Sequence, residues 1–553
     1  MPLASSVANE RAGTIGSRSH VHSLNDDCLI AIFYYVARDP LEPFYPREIE
    51  TTKADQLICL THVCQRWRGV VLDIPQLWAD VAFVYPKGFP TLLGRARESP
   101  LRFANDAFGA RKPIISNEQA HYMISHPERL RILEIHYQWP SLALAFAGKT
   151  MPILESLTFD YGGASDTDGE GNRFYFNERP IRAPLLKHAV FGTIYIPLIA
   201  PQLTSLHLGI ADGLTGTFDL DSERFYALLK SSPLLESLSL HECFPEEAWA
   251  NEESERVELP RLVKVDMTGY IAAIASMVDM IHLVNACSNI SLTVYEVDED
   301  GAADFACALA PFIQTALHDT LSVTGYLADR SNGHPGLRLF SSERTTKDSS
   351  IHDSYTLSVD VGSDEEDVDI MSFYQSIFEQ LSEGQIRHLL VVHEEQENAF
   401  TWVDTIQPFH LPALSQSVDR ISFQLENRGH VDPDFGEGLA PKFLLEDYKA
   451  YPSLTSLTLH GDGRHYAAAT NPDKFGEFIQ WLQKRRDRDI PLETIRLTGD
   501  VYNKRYQVDQ SGTVWMGPQD WTVWQEVRSN GVRVIDERKL IPMSMAPHLL
   551  RAD

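Results

Sequence analysis

Residues 231–240 read SSPLLESLSL, a proline followed by Leu235, Leu238 and Leu240 in the spacing Pro-x-Leu-x-x-Leu-x-Leu. The closing Leu-x-Leu is a two-residue alternation, which fits a short strand with one face buried. The first leucine packs the turn that enters the strand. Proline is tolerated there because no ladder donor is required before the strand begins. The phrase recurs as MPILESLTF (151–159), APLLKHAVF (183–191), APQLTSLHL (200–208), LPRLVKVDM (259–267) and YPSLTSLTL (451–459). IPLETIRL (490–497) is an altered copy, and RLRILEIHY (129–137) keeps the spacing without the proline.

Helix-like stretches separate the phrases. In SERFYALLKSS (222–232), Phe225, Leu228 and Leu229 share a face. In PDKFGEFIQWLQKRRDRD (472–489), Phe475, Phe478, Ile479 and Leu482 do. A strand-plus-helix unit cannot hide its apolar face alone and must stack on its neighbour. The segment 100–553 therefore resembles a degenerate leucine-rich-repeat solenoid, with an α/β fold of short parallel strands and helices. Pro152, Pro184, Pro201, Pro233 and Pro260 are separated by 32, 17, 32 and 27 residues, so the crossovers vary in length. A discrete α/β domain with a parallel sheet is the alternative that strand-helix order leaves open. From 268 to 450 the phrase fades. ISLTVYEV (290–297), DTLSVTGY (319–326), SYTLSVDV (354–361), IRHLLVVH (386–393) and DRISFQL (419–425) still read as strands, and SFYQSIFEQL (372–381) as a helix. The tail carries Trp515, Trp521 and Trp524 and reads as a terminal cap with those side chains in its core.

The amino end is different. In LNDDCLIAIFYYVARD, Asn25 caps a helix, Asp26 and Asp27 sit in its first turn, and Leu24 and Leu29 have the spacing of a hydrophobic staple. Leu29, Ile32, Phe33 and Val36 form one apolar stripe. A link with Pro40, Pro43 and Pro46 follows. A second helix is predicted through ADQLICLTHVCQRWRGVVL, with Leu57, Leu60, Cys64, Trp67 and Val71 on one face, Val63 and Val70 widening it, and Pro75 ending it. Leu77 and Trp78 then return to that helix. So small a unit buries little surface by itself, so part of this apolar density is expected to face a partner. A plain helical hairpin capping the next domain is the other reading.

The run from Leu24 to Trp78 resembles an F-box. The matching residues are Leu24, Leu29, Ile32 and Phe33, then Leu60, Val63, Cys64, Trp67 and Arg68 in THVCQRWRGV, then Leu77 and Trp78 in IPQLW. The family's Leu-Pro opening is Leu24-Asn25 here, and the link between helices is longer than usual. The resemblance implies docking onto the Skp-type adaptor of a cullin-RING (SCF) ubiquitin ligase, with the repeat segment presenting a protein substrate. A non-ligase interaction scaffold, or an enzyme hidden in the α/β remainder, are the alternatives. The organisation expected is a disordered leader at 1–20, the helical F-box-like domain at 21–83, and the solenoid with its cap at 100–553.

Composition supports a folded chain with ordinary chemistry. Of 553 residues, 43% are apolar and 23% charged. A formal charge of −29 disfavours nucleic acid as a partner, since phosphates repel such a chain. No apolar run reaches membrane-spanning length, and the first twenty residues lack a secretory core. Six cysteines (28, 59, 64, 243, 287, 307) without a CxxC point to reduced thiols in cytosol or nucleus. No catalytic, cofactor or metal residues are assigned. SDTDGEGN (165–172) starts like a calcium loop but has Asn177 where the bidentate glutamate belongs. His62 and Cys64 fall on different helix faces, and His241 and Cys243 lack the facing geometry and oxyanion site of a nucleophile pair. GxxxxGK[ST], HExxH and GxSxG are absent. The acidic runs SDEEDVD (363–369) and NEESERVE (251–258) read as solvated loops.

Overall fold

The computed structural model describes residues 24–37, 49–105, 115–136, 140–160, 175–176, 179–192, 194–209, 222–244, 256–282, 289–295, 297, 299–314, 318–325, 336–340, 357–361, 370–395, 414, 416–427, 449, 451–460, 472–498, 500–501, 507–508, 514–515 and 518–540. The leader, the Pro40–Pro46 link, the SDTDGEGN run and the SDEEDVD run lie outside the described residues, as does 251–255 of NEESERVE. The protein is mixed α/β with a large, mostly parallel sheet. It divides into two compact units, one of Met1–Thr167 with Tyr175–Leu186 and Thr193–Ile199, the other of Asp168–Phe174, Lys187–Gly192 and Ala200–Asp553.

The first unit begins with helices α1 (Asp26–Ala37), α2 (Ile49–Val63), α3 (Gln65–Leu72), α4 (Pro75–Asp80) and α5 (Phe89–Ala96). Parallel strands Leu101–Asn105, Leu130–His136 and Ser156–Asp160 follow. An aromatic cluster joins the helices to these strands. Phe83 stacks on Phe89 at 5.2 Å and meets Phe103 edge-on at 5.3 Å. Gln119, buried on the helix Asn117–Ser125, donates from Nε2 to the Phe83 carbonyl at 2.9 Å, which satisfies both groups. The unit thus has one shared core running from α1 to the third strand.

In the second unit, strands His188–Phe191, Ser205–Gly209, Ser237–His241, Lys264–Tyr270 and Asn289–Tyr295 lie side by side in chain order, all parallel. Arg420–Asn427, Ser456–His460, Thr494–Thr498 and Arg533–Asp536 continue likewise from His388–Glu395. The middle breaks that order. Leu357–Val361 is parallel to Asn289–Tyr295, Gly336–Phe340 is antiparallel to Leu357–Val361 and to Thr320–Gly325, and Thr320–Gly325 is parallel to His388–Glu395. In the large sheet, among the described residues, antiparallel pairing is confined to Gly336–Phe340 and falls where the leucine phrase fades. A strand pairing with its chain neighbours through hairpins does not need the turn-plus-crossover grammar that the phrase encodes.

The proline phrase has a defined job in both units. Pro152, Pro184, Pro201, Pro233, Pro260 and Pro452 occupy the second position of a four-residue turn. The amide of the following leucine closes it onto the residue before the proline: Leu154 to Met151, Leu186 to Ala183, Leu203 to Ala200, Leu235 to Ser232, Leu262 to Leu259 and Leu454 to Tyr451, at 3.1–3.3 Å. Proline pre-sets φ at that position of the turn. The turn leucines and the strand pairs Leu206/Leu208, Leu238/Leu240 and Val265/Met267 are all buried. The helix faces predicted on 222–230 and 472–486 are buried too, with Trp481 added to the second. Trp524 is core; the side chains of Trp515 and Trp521 lie outside the description.

Leu238 has no exposed surface and sits mid-strand. Leu238→Ala is expected to lower stability by about 2–5 kcal/mol, whereas Val263→Ala, at a half-exposed site, costs under about 1 kcal/mol. Urea unfolding of the two variants checks this.

Candidate functional site

The helical end of the first unit holds the ten residues expected to contact an adaptor. Asn25 caps α1 as read from the sequence, its Oδ1 accepting the Cys28 amide at 2.8 Å. The second helix departs from expectation. It ends at Val63 and restarts at Gln65, because Cys64 takes an extended conformation (φ −160°, ψ 168°). The Cys64 Sγ accepts the Trp67 amide at 3.4 Å, and Arg68 Nε donates to the Thr61 carbonyl at 2.7 Å, satisfying a donor and an acceptor at the broken ends. The Cys-x-x-Trp spacing is therefore the spacing from a helix cap to its third residue. Cysteine is an uncommon cap, which is why periodicity alone ran the two helices together. Pro75 opens α4 rather than merely ending what precedes it.

The ten residues separate by burial. Leu29, Phe33, Leu60, Leu77 and Trp78 are buried; Leu24, Cys64 and Trp67 are half-buried; Ile32 and Val63 are exposed, at 38% and 56%. The buried set builds a complete small core. Trp67 meets Phe33 edge-on at 5.1 Å, and Trp78 Nε1 donates to the Val71 carbonyl at 2.9 Å while the Arg95 guanidinium lies 4.6 Å from its ring. Arg66 pins α3 to the start of α1 through Asp26 Oδ1 at 2.7 Å. Sequence reasoning missed Tyr35, which is 83% exposed, and Tyr34 beside it, and did not carry the stripe's Val36 into the expected contact set. Ile32 and Val36 flank the buried Leu29 and Phe33 at the edge of that stripe and are 38% and 37% exposed, while Tyr35, three residues from Ile32, lies farther round the helix. The signal was present in IFYYV; the stripe assignment gave Ile32 and Val36 to the inner face.

The second unit presents a polar strand face, the residues between the buried ones. Ser239 Oγ lies 2.8 Å from His207 Nδ1 and 2.9 Å from His241 Nε2, and His241 Nε2 is 3.7 Å from Asp266 Oδ2. Burial pushes the Asp266 carboxyl up, but the adjacent His241, then Lys264 and His207, outweigh it and hold the group below its usual range. His241 thus turns to Ser239 and Asp266 and not to Cys243. Cys243 is fully buried, and burial, aided by Glu242, pushes its thiol well up, which disables it as a nucleophile. Farther along, burial and Arg420 hold His388 down to about 4 against the opposing pull of Asp319, with Ser422 Oγ 2.8 Å from its Nε2.

A cavity of about 540 Å³ opens in the first unit between Phe89, Leu93, Arg97, Tyr122 and Arg129. Arg97 has φ 50°, a left-handed backbone that costs a non-glycine residue about 1–3 kcal/mol. Arg129 compensates by donating to the Arg97 carbonyl, to Ser99 O at 3.1 Å and to Tyr122 Oη at 2.6 Å. Its guanidinium is thereby a strut for the strained turn. Among the described residues there is no group of His, Cys, Asp and Glu side chains placed to hold a metal ion, and no helix is long and apolar enough to cross a membrane. The chain matches no family model, and no curated protein matches it significantly.

Two measurements follow. Serine is a stronger helix cap than cysteine, so Cys64→Ser is expected to gain about 0.5–1 kcal/mol and Cys64→Ala to lose a similar amount in urea unfolding. His388 binds its proton only near pH 4 when folded but near 6.5 when unfolded. Its contribution is therefore present above pH 6.5 and lost as pH falls toward 4, on the order of 3 kcal/mol. His388→Gln should flatten the pH dependence of the unfolding midpoint across that window.

Proposed function

We propose that this protein is the substrate-recognition adaptor of an SCF-type cullin-RING ubiquitin ligase, acting in cytosol or nucleus. In this reading the F-box-like helices hold the Skp-type adaptor, and the parallel sheet is a leucine-rich-repeat-like stack that holds a target protein. The observation that carries it is the set of exposed apolar side chains Ile32, Tyr34, Tyr35 and Val36 on α1 and Val63 on α2, left in water while Leu29, Phe33, Leu60, Leu77 and Trp78 are buried. A small unit that leaves such groups in water while burying Leu29, Phe33 and Trp78 favours a surface finished by another polypeptide. The residues that build the buried core are among those whose sequence resembles the F-box pattern, which favours this reading. The proposed role needs no bond chemistry: the adaptor raises the local concentration of a bound target beside the ubiquitin-charged enzyme and orients it. The target is held on the polar strand face around His207, Ser239 and Asp266 or on the loops bordering it.

Ile32→Asp combined with Val63→Asp is expected to cut recovery of a Skp-type adaptor tenfold or more in a pull-down, with the circular dichroism spectrum and unfolding midpoint unchanged. Val263→Asp, an exposed apolar position in the second unit, serves as the control. Undiminished recovery by the double variant overturns the proposal. Phe33→Ala is unsuitable as a test, because Phe33 is buried and its loss unfolds what it is meant to probe.

A further inference from the structure

The cavity of about 540 Å³ in the first unit lies between α5 and the helix Asn117–Ser125, and none of the ten residues expected at an adaptor face lines it. From α5 it takes Phe89, Pro90, Leu93 and Gly94, which fall on one helix face. Tyr122 stands opposite, its ring 5.6 Å from that of Phe89 and nearly edge-on at 73°. A Cβ placed on Gly94 meets no atom within 4 Å, so there is open space over that turn.

The charges around the cavity are unevenly engaged. Arg129 donates to Tyr122 Oη and to the carbonyls of Arg97 and Ser99, so its guanidinium serves the turn. Arg97 Nη2 reaches Asp73 Oδ1 at 3.3 Å, and Asp73 is not among the lining residues. The two lining carboxylates are less committed. Glu98 is 96% exposed, and its ion pair with Arg129 Nε, at 4.0 Å, is too long for a hydrogen bond. Glu118 is exposed in the first turn of its helix and has no hydrogen bond or ion pair among the described residues. His121 Nε2 lies 3.5 Å from Ser125 Oγ on its own helix. The cavity therefore offers an apolar wall, cations already compensated, and two carboxylates with acceptor capacity to spare. A cation carried on an apolar stem is its complement.

We propose that this cavity takes an arginine side chain presented by another polypeptide. The methylenes of the stem lie against Pro90, Leu93 and the open turn at Gly94, and the charged head meets the carboxylates. A guanidinium suits the task better than an ammonium, because its planar fork of five N–H donors can serve two carboxylates at once. Both carboxylates are in water, so each ion pair adds little alone and is screened by salt. The contact is thus a weak anchor, and it does not depend on the adaptor role given above.

The test uses the full chain and the peptide acetyl-Ala-Leu-Arg-Leu-Ala-amide in isothermal titration calorimetry. Saturable, salt-sensitive binding is expected. It should weaken about tenfold or more in the Glu98→Gln, Glu118→Gln double variant, in Gly94→Leu, and when norleucine replaces the arginine of the peptide. Gly94→Leu fills the cavity from a helical position with open space beside it, and leucine is the better helix former, so its urea midpoint should not fall. Glu128→Gln removes the same charge from a residue that does not line the cavity and should bind as wild type does. Absence of saturable binding overturns the inference, as does undiminished binding by the double variant or by a folded Gly94→Leu. Equal weakening by Glu128→Gln assigns the binding to the general negative charge of the chain and also overturns it. A lysine peptide that binds as tightly as the arginine peptide overturns the guanidinium assignment.

Discussion

A strand can hide only alternate side chains, and a parallel ladder offers no hairpin to close it. The second unit depends on how that constraint is met. Each phrase places a turn, a buried leucine and two more buried side chains in eight residues. Leu235, Leu238 and Leu240 are all fully buried in this way, as are their counterparts Leu203, Leu206 and Leu208. The amide of the residue after the buried Leu235, Leu262, Leu454, Leu492 and Val532 then bonds the carbonyl just before the preceding strand: Glu236 to Thr204, Val263 to Glu236, Thr455 to Asp419, Glu493 to Thr455 and Arg533 to Glu493, at 2.8–2.9 Å. Turn and ladder are satisfied by the same few residues. The polar side chains between the buried ones are left facing solvent, and the His207–Ser239–His241–Asp266 row is made from them.

That economy explains what was legible beforehand. The strands from 130 to 267 and from 456 to 498 were readable because proline, leucine and alternation all point to one conformation. The strand Gly336–Phe340 was not, because GLRLF carries no turn signal and its antiparallel pairing has no signature outside the hairpin that makes it. The helix Ile271–Met280 escaped for another reason. Its IAAIASMVDM is apolar on most sides, so no 3.6-residue contrast marks it, and six of its ten residues are buried.

The candidate site was legible to a different degree. The ten residues expected at an adaptor face all lie in the helical end, but their division into core and surface was not legible, since a stripe of leucines and aromatics reads the same whichever side faces water. Cys64 is the sharpest case. Periodicity treated it as one more apolar residue on a continuous face, whereas the chain uses its sulfur to end one helix and start another. The break matters beyond the cap. It allows Trp67 to meet Phe33 and Arg68 to reach back to Thr61, so the break is built into the core and is no local defect.

Burial also sets limits on which side chains can do chemistry. The buried Cys243 is held protonated, and the His388 ring is held neutral, each by the cost of placing charge away from water. Arg485 is treated likewise: burial lowers it to about 10, it stays charged at neutral pH, and its Nη2 donates to the Leu454 carbonyl at 3.0 Å beside the Trp481 ring. Strongly shifted groups ordinarily suggest an active site. Here the shifts of Cys243, His388 and Arg485 have burial as their first cause. The groups available to another molecule are those that water already reaches, and on the amino-terminal helices these include Ile32, Tyr34, Tyr35, Val36 and Val63. Recognition by shape and apolar contact is the chemistry such a set supports.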